Sequence, residues 1–513
     1  MALSEPEIRT TAGALRGRWE GGVAVFLGIP FAQPPVGAAR FAAPRPVTGW
    51  DGVREAFSYG PPPPQAAALG PVAPRNKQGD DDWLTVNVWS PAPDKAARLP
   101  VTVWIGGGAY MVGSSGDDGY DGGRLAGDGG VVVVTFNYRL GIEGFAQIQG
   151  APSNRGLLDQ VAALEWVREN IAHFGGDPTQ VTIFGESSGA GCIAALLAME
   201  RARGLFRRAI AHSVPGTFFA PDLADDFAAA FAAHLGLRPT VPDLSGVDPD
   251  ELPAAGDAVA ATLAAHEDRW GQLAHYGNPF APVVDGDVLP AAPWQALADG
   301  AGRGVELVTG HTRDEFRIFL AMSGLLGKIT DEQAATELRV FAPGPNGERA
   351  YRDAFADATA EQLYEIVRSD WLFRMPTLHL AEAQAAGGGR AHLFDLAWPA
   401  PGMGGVLGAC HGLDVPLTFG RLDAGIATLL IGPAPSPPAE ALSVQLWHAW
   451  TTFAATGDPG WPAYDLDRRL TWVLDIESKV AAYPEETSRL LWRDHTFKAL
   501  PLTATQGPSA ASL

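Results

Sequence analysis

Gly185-Glu186-Ser187-Ser188-Gly189 fits the pattern Gly-x-Ser-x-Gly. Alone the pattern is weak, because Gly and Ser are common and most matches are ordinary turns. Its flanks sharpen it. Val181-Thr182-Ile183-Phe184 reads as a strand, and the Ala- and Leu-rich segment after Gly191 reads as a helix. Strand, tight turn and helix are the setting of a nucleophile elbow. A chain that reverses so sharply is pressed against its neighbours, and a side chain at Gly185 or Gly189 would clash there. The central serine is held in a strained turn with its hydroxyl exposed. The helix N-terminus behind it offers free N–H groups and a partial positive charge to a developing oxyanion. Such a serine needs a base, an acid that orients the base, and an oxyanion hole.

Gly106-Gly107-Gly108-Ala109-Tyr110 follows the strand-like run 101–105 (VTVWI). Backbone N–H groups aimed at a reacting carbonyl need the chain to come close, and glycines permit that. A phosphate-binding loop is the rival, but the Gly-Lys-Ser/Thr ending is missing. Spacing does not single out the base among 11 histidines. His411 competes with His311, close to Glu315, and His212, next to Ser213, is a candidate for a site-lining role. The only cysteines are Cys192 and Cys410, too few for a disulfide framework. A Cys nucleophile is the weaker reading and small buried packing residues the stronger one. Asp80, Asp81 and Asp82 read as a solvated loop, with no His or further carboxylate at ligand spacing.

The elements that must position these residues alternate. Short strands are expected at 8–10, 14–17 and 23–27. Others are expected at 84–89 and 101–105, then at 131–137 and 181–184. A Pro- and Gly-rich turn spans 28–37, and 60–82 is a loop holding Pro61 to Pro64. The run 131–137 (VVVVTFN) is apolar throughout, as a strand buried on both faces of a parallel sheet should be. Leu157, Val161, Leu164, Val167 and Ile171 recur at helical spacing before Gly175-Gly176 closes the segment. This βαβ order predicts an α/β chain with a large, mostly parallel central sheet flanked by helices. Further strands are expected at 207–213, 306–310, 391–396 and 469–474, a Pro-rich loop at 433–438, and a helix at 443–456. Segments 218–275 and 320–390 are largely helical and read as insertions that cap the active site. One domain, 1–513, accommodates all of this.

The chain has 513 residues, 46% hydrophobic and 19% charged, ample for a large buried core. Its formal net charge of −21 argues against nucleic acid or an anionic membrane as partner. The N-terminus shows no basic region followed by an apolar one, no run is long enough to span a membrane, and no Asn-x-Ser/Thr sequon occurs. A cytoplasmic location is the expectation, as a monomer or a homodimer.

Together the motifs resemble the type B carboxylesterases, the cholinesterase-like and para-nitrobenzyl esterase-like group of the α/β-hydrolase fold. The resemblance runs from about residue 8 to about 485. It rests on FLGIPFAQPPVGAARF (26–41), LTVNVW (84–89), VTVWIGGGAY (101–110), NYRLGIEGF (137–145) and the stretch 154–191 around the elbow. TRDEF (312–316), CHGLDVPLTFG (410–420) and AWTTFAATGDPGWPAY (449–464) complete it.

The resemblance implies a serine esterase acting through an acyl-enzyme, with Ser187 as nucleophile, Glu315 as acid and His411 as base. It implies an oxyanion hole made by the N–H groups of Gly108, Ala109 and Ser188, shaped by Gly107. Glu186 and Ser213 match supporting positions around the triad. Arg40 with Asp81, and Arg139 with Asp159, match structural salt bridges. No cofactor or metal is implied. Amide or carbamate hydrolysis by the same triad is the alternative, and a non-catalytic adhesion member of the fold is a third reading. The departures are Gly106 where relatives often carry His or Tyr, Trp83 in place of a disulfide cysteine, and Ser188 where Ala is usual. There is also no Trp between Tyr59 and Asp82 to stack on choline. The pocket walls are expected in loops 60–82, 275–285, 315–325 and 396–410. Phe280, Phe316, Phe319, Leu320, Trp398 and Met403 there suit a small apolar or aromatic ester.

Overall fold

Runs of β-branched and aromatic residues cut by Gly, Pro and Asp make short strands. A computed structural model describes residues 4–65 and 81–503, and fourteen strands lie among them. In chain order they are β1 (Glu7–Arg9), β2 (Ala14–Arg16), β3 (Arg18–Glu20), β4 (Val23–Pro30), β5 (Val53–Glu55), β6 (Thr85–Ser90), β7 (Leu99–Ile105), β8 (Val132–Phe136), β9 (Gly176–Glu186), β10 (Arg208–His212), β11 (Glu306–Thr312), β12 (Arg390–Leu396), β13 (Leu470–Leu474) and β14 (Lys479–Ala482). Eleven form one sheet in the order β14-β13-β12-β11-β10-β9-β7-β8-β6-β4-β3, while β1, β2 and β5 form a small separate one. Pairings from β13 across to β8 are parallel, and those at the two flanks are antiparallel.

The continuous apolar strands are explained by a core on each face of the sheet. In β8, Val132 and Val134 enter one core and Val133 the other. Val103 and Trp104 of β7 divide in the same way, as do Ile183 and Phe184 of β9. Burying one such side chain contributes about 1.5–3 kcal/mol. The helix Arg155–Asn170 sets Leu157, Val161, Leu164 and Val167 into the first core. A tighter turn, Ile171–Phe174, ends at Gly175 with φ 87°.

Differences from the expected elements have local causes. β3 and β14 are edge strands of only three and four residues, exposed or half-buried along their length, so no alternating pattern announced them. The second long helix runs Pro437–Thr456, so part of the expected 433–438 loop is its first turn. Ser436 caps it by accepting from the Ala439 N–H, and Pro at the first helical position sacrifices no hydrogen bond. Arg139 and Asp159 form the expected salt bridge, 2.7 Å long with both side chains fully buried. Arg40 does not pair with Asp81: its guanidinium lies 2.8 Å from Glu143, a closer and buried carboxylate, and Asp81 is exposed. Asp80 and most of the 60–82 loop lie outside the described residues.

Segments 218–275 and 320–390 are helical, and they touch. Arg368 donates to the His275 carbonyl and to Glu337, and Gln272 donates to the Val340 carbonyl. Among the described residues, no helix is long and apolar enough to cross a membrane.

Candidate active site

The candidate residues gather at the C-terminal ends of the parallel strands, where α/β sheets place their clefts. Ser187 follows β9, Ser213 follows β10, and Glu315 lies three residues beyond β11. His411 lies on the connection after β12.

The elbow explains its glycines. Ser187 has φ 57° and ψ −128°, a conformation that side-chain-bearing residues rarely adopt. A Cβ on Gly185 would stand 2.6 Å from the Ile105 carbonyl oxygen, and one on Gly189 would run into the same atom. The end of β7 therefore lies directly against the turn. The Ser187 N–H donates to the His212 carbonyl at 3.0 Å. Ser187 is half-buried between two buried neighbours, Glu186 and Ser188, and the helix Ser188–Ala198 behind it is buried throughout.

Glu315 meets His411 across 96 residues of sequence. Its Oε2 lies 2.6 Å from His411 Nδ1. Its Oε1 accepts from Ser213 Oγ at 2.6 Å and from the Thr312 N–H at 2.9 Å. Glu315 is fully buried and its carboxylate is held at both oxygens, so the imidazole has one orientation. Glu186, expected only as a supporter, touches the base: its Oε1 lies 3.0 Å from His411 Nε2. Burial pulls the His411 pKa down, but Glu186 and Glu315 outweigh it and push the imidazole up to about 9. Burial pushes the Glu186 carboxyl up as well. The aromatic rings of Phe373 and Phe319 pack on His411 at centroid distances of 4.1 and 5.4 Å.

The glycine loop turns its carbonyls outward. The Gly106 carbonyl accepts from Tyr138 Oη at 2.6 Å, and that of Ala109 from Asn278 at 3.1 Å. The Gly108 carbonyl accepts from the Met111 and Val112 N–H groups, and the Tyr110 carbonyl from that of Gly141. Among the described residues, the N–H groups of Gly107, Gly108 and Ala109 have no such partner. Gly108 at φ 120° and Ala109 at φ 57° produce this arrangement. A Cβ on Gly107 would stand 3.2 Å from Ser187 Cβ and 3.0 Å from Glu186 Oε2, which places the loop over the serine. The missing side chain at Gly106 leaves space beside Trp104 and Tyr120, yet the Tyr138 hydroxyl braces the loop there.

Several other candidates fall outside this cluster. His311 is fully buried, with Nδ1 on the Thr312 carbonyl and Nε2 on the Tyr483 hydroxyl. The His212 side chain lies 2.7 Å from Asp414 and does not line the cleft. Burial pushes the thiols of Cys192 and Cys410 up to about 12, as packing residues would have. Of the expected wall residues, Phe319 reaches His411. Phe280 stacks on Phe231, Trp398 sits in the second core, and Met403 is 53% exposed. Phe316 packs against Phe319 and Arg368, and Leu320 is buried. Sequence reasoning gave no role to Phe373 and Asn278, which belong to no quoted motif, nor to Tyr138, whose motif NYRLGIEGF was read only as part of the resemblance. Among the described residues, no three His, Cys, Asp or Glu side chains are grouped so as to hold a metal ion.

A model of the carboxylesterase family matches residues 4–486. The chain is 37% identical over 497 residues to a para-nitrobenzyl esterase of Bacillus subtilis, covering 94% of this chain and 97% of that one. It is 34% identical over 496 residues to a phenmedipham hydrolase of Pseudarthrobacter oxydans, with the same coverage. A solved PNB esterase structure superposes with a TM-score of 0.82 at 35% identity, over 95% of this chain and 99% of the other.

Proposed function

The chain belongs to the carboxylesterase family, is a carboxylic-ester hydrolase of the α/β-hydrolase fold, and, we propose, works as a serine esterase through Ser187, His411 and Glu315. The supporting observation is the 2.6 Å contact between Glu315 and His411, whose other ring nitrogen lies 3.0 Å from Glu186, the neighbour in sequence of a serine held at φ 57°. His411 Nε2 takes the proton of the Ser187 hydroxyl as Oγ attacks the ester carbonyl carbon. The imidazolium that forms lies between two carboxylates, Glu315 and Glu186. The oxyanion is received by the N–H groups of Gly108, Ala109 and Ser188. Collapse of this intermediate returns the proton to the leaving alcohol, and water then hydrolyses the acyl-enzyme by the same route.

The rings of Phe319 and Phe373 on the base favour an apolar or aromatic ester. Both come from, or border, the helical segment 320–390, which with 218–275 acts as a cap over the cleft. A cytoplasmic location fits two buried, unpaired cysteines.

The test is hydrolysis of 4-nitrophenyl esters, acetate through octanoate, by wild type and Ser187→Ala. The variant should lose about 10⁴-fold or more in kcat, since removal of a triad serine leaves only binding and oxyanion stabilisation. Retained turnover would sink the Ser187 assignment. A matched 4-nitroanilide in the same assay separates ester from amide preference.

A further inference from the structure

Behind the first histidine–carboxylate pair lies a second. His212 Nδ1 is 2.7 Å from Asp414 Oδ2, and both side chains are fully buried. The His212 ring meets Phe394 and Trp450 edge-on, at 5.2 and 5.3 Å. Neither residue touches the space where substrate would react. Two ionisable groups taken wholly from water carry a desolvation cost that apolar packing would avoid. The backbone around them indicates what the pair does.

The His212 carbonyl accepts the Ser187 N–H at 3.0 Å, so His212 is the seat of the elbow. Asp414 opens the helix Asp414–Phe419, three residues after His411. Between them the chain is tightly wound, with the Leu413 N–H on the Cys410 carbonyl at 3.2 Å and the Val415 N–H on that of Gly412 at 3.3 Å. The contact between His212 and Asp414 therefore joins the segment that seats the nucleophile to the segment that carries the base. The next residue, Ser213, holds the Glu315 carboxylate. The end of β10 thus reaches all three members of the triad: Ser187 through a carbonyl, Glu315 through a hydroxyl, and the His411 segment through an imidazole.

We infer that His212 and Asp414 are positioning residues, whose contact fixes the His411 loop against the Ser187 elbow and so sets the path of the proton between them. The inference rests on Ser187 and His411 being nucleophile and base. A misplacement of about 1 Å at such a centre costs on the order of 10²-fold in rate.

Three variants test it. His212→Asn keeps a polar nitrogen near where Nδ1 stood, His212→Leu removes it, and Asp414→Asn removes the carboxylate at constant volume. For each, kcat and KM are measured on one 4-nitrophenyl ester, normalised to the fraction of Ser187 that an organophosphate labels. His212→Leu and Asp414→Asn should lose about tenfold or more in kcat with KM within about twofold, and His212→Asn should recover most of the loss. Wild-type kcat in a folded His212→Leu, or an Asn variant no better than the Leu variant, would overturn the inference. If His212→Leu does not fold, unchanged kcat in Asp414→Asn overturns it equally. Ser187→Ala run alongside keeps the two readings apart. Turnover by that variant would undo the nucleophile assignment itself, whatever residues 212 and 414 do.

Discussion

The floor and the roof of the cleft meet at His411 and follow different rules. The floor is made of strand ends and tight turns: Ser187 at φ 57°, Gly108 at φ 120°, and Glu315 held at both carboxylate oxygens. Almost nothing there can be exchanged, because a Cβ at Gly185 or Gly189 would meet the Ile105 carbonyl. The roof is made of aromatic rings, Phe319 from the short helix Arg317–Met322 and Phe373 from the buried π-helical turn Asp370–Arg374. There the demand is for apolar volume, which many residues satisfy. On the proposed assignment, reaction type rests on the irreplaceable positions and substrate choice on the replaceable ones.

That contrast can be broken. Gly108→Ala should have the largest effect after Ser187→Ala. Its Cβ would be driven into the Val112 carbonyl at a φ that alanine resists. Loss of one oxyanion donor costs about 10²–10³ in kcat, and KM should hardly move. Steady-state kinetics decide, and a change confined to KM would make the loop part of the roof.

Phe373→Ala should act in the opposite manner. It removes the ring stacked 4.1 Å from His411 and should shift the ratio of kcat/KM between butyrate and acetate esters by about tenfold. Equal losses on every ester would mean that the ring serves the base rather than the substrate.

The smallest effect sharpens the boundary. A protonated imidazole cannot accept the serine proton, so kcat/KM should rise with pH through the His411 pKa, near 9. Glu186 is the leading carboxylate that raises that value. Glu186→Gln should therefore lower it, moving the acid limb of the pH profile down by about one on the pH scale. A limb that stays in place would show that Glu186 reaches His411 without its charge.

The same contrast explains what could be read from the sequence. The elbow was legible because its glycine spacing reports backbone crowding directly. The parallel sheet was legible because strands with a core on each face carry unbroken apolar runs. Glu315 and His411 were legible only through likeness to a family, since 96 residues and a further strand, β12, separate them. Phe373 was not legible, because an aromatic residue in a helix looks the same whether it faces a core or a cleft. Arg40 went to Glu143 rather than Asp81 because charge type in a sequence does not reveal which carboxylate lies within reach.

The ring of Phe373 over His411 also leaves a magnetic signature. Circulating π electrons shield nuclei that lie above an aromatic face. With centroids 4.1 Å apart and planes 24° from parallel, the carbon-bound protons of His411 should resonate upfield of those of solvent-exposed histidines. The base can then be followed by NMR without a label, and an ester that pushes the ring aside as it enters would announce itself by returning that resonance toward its ordinary place.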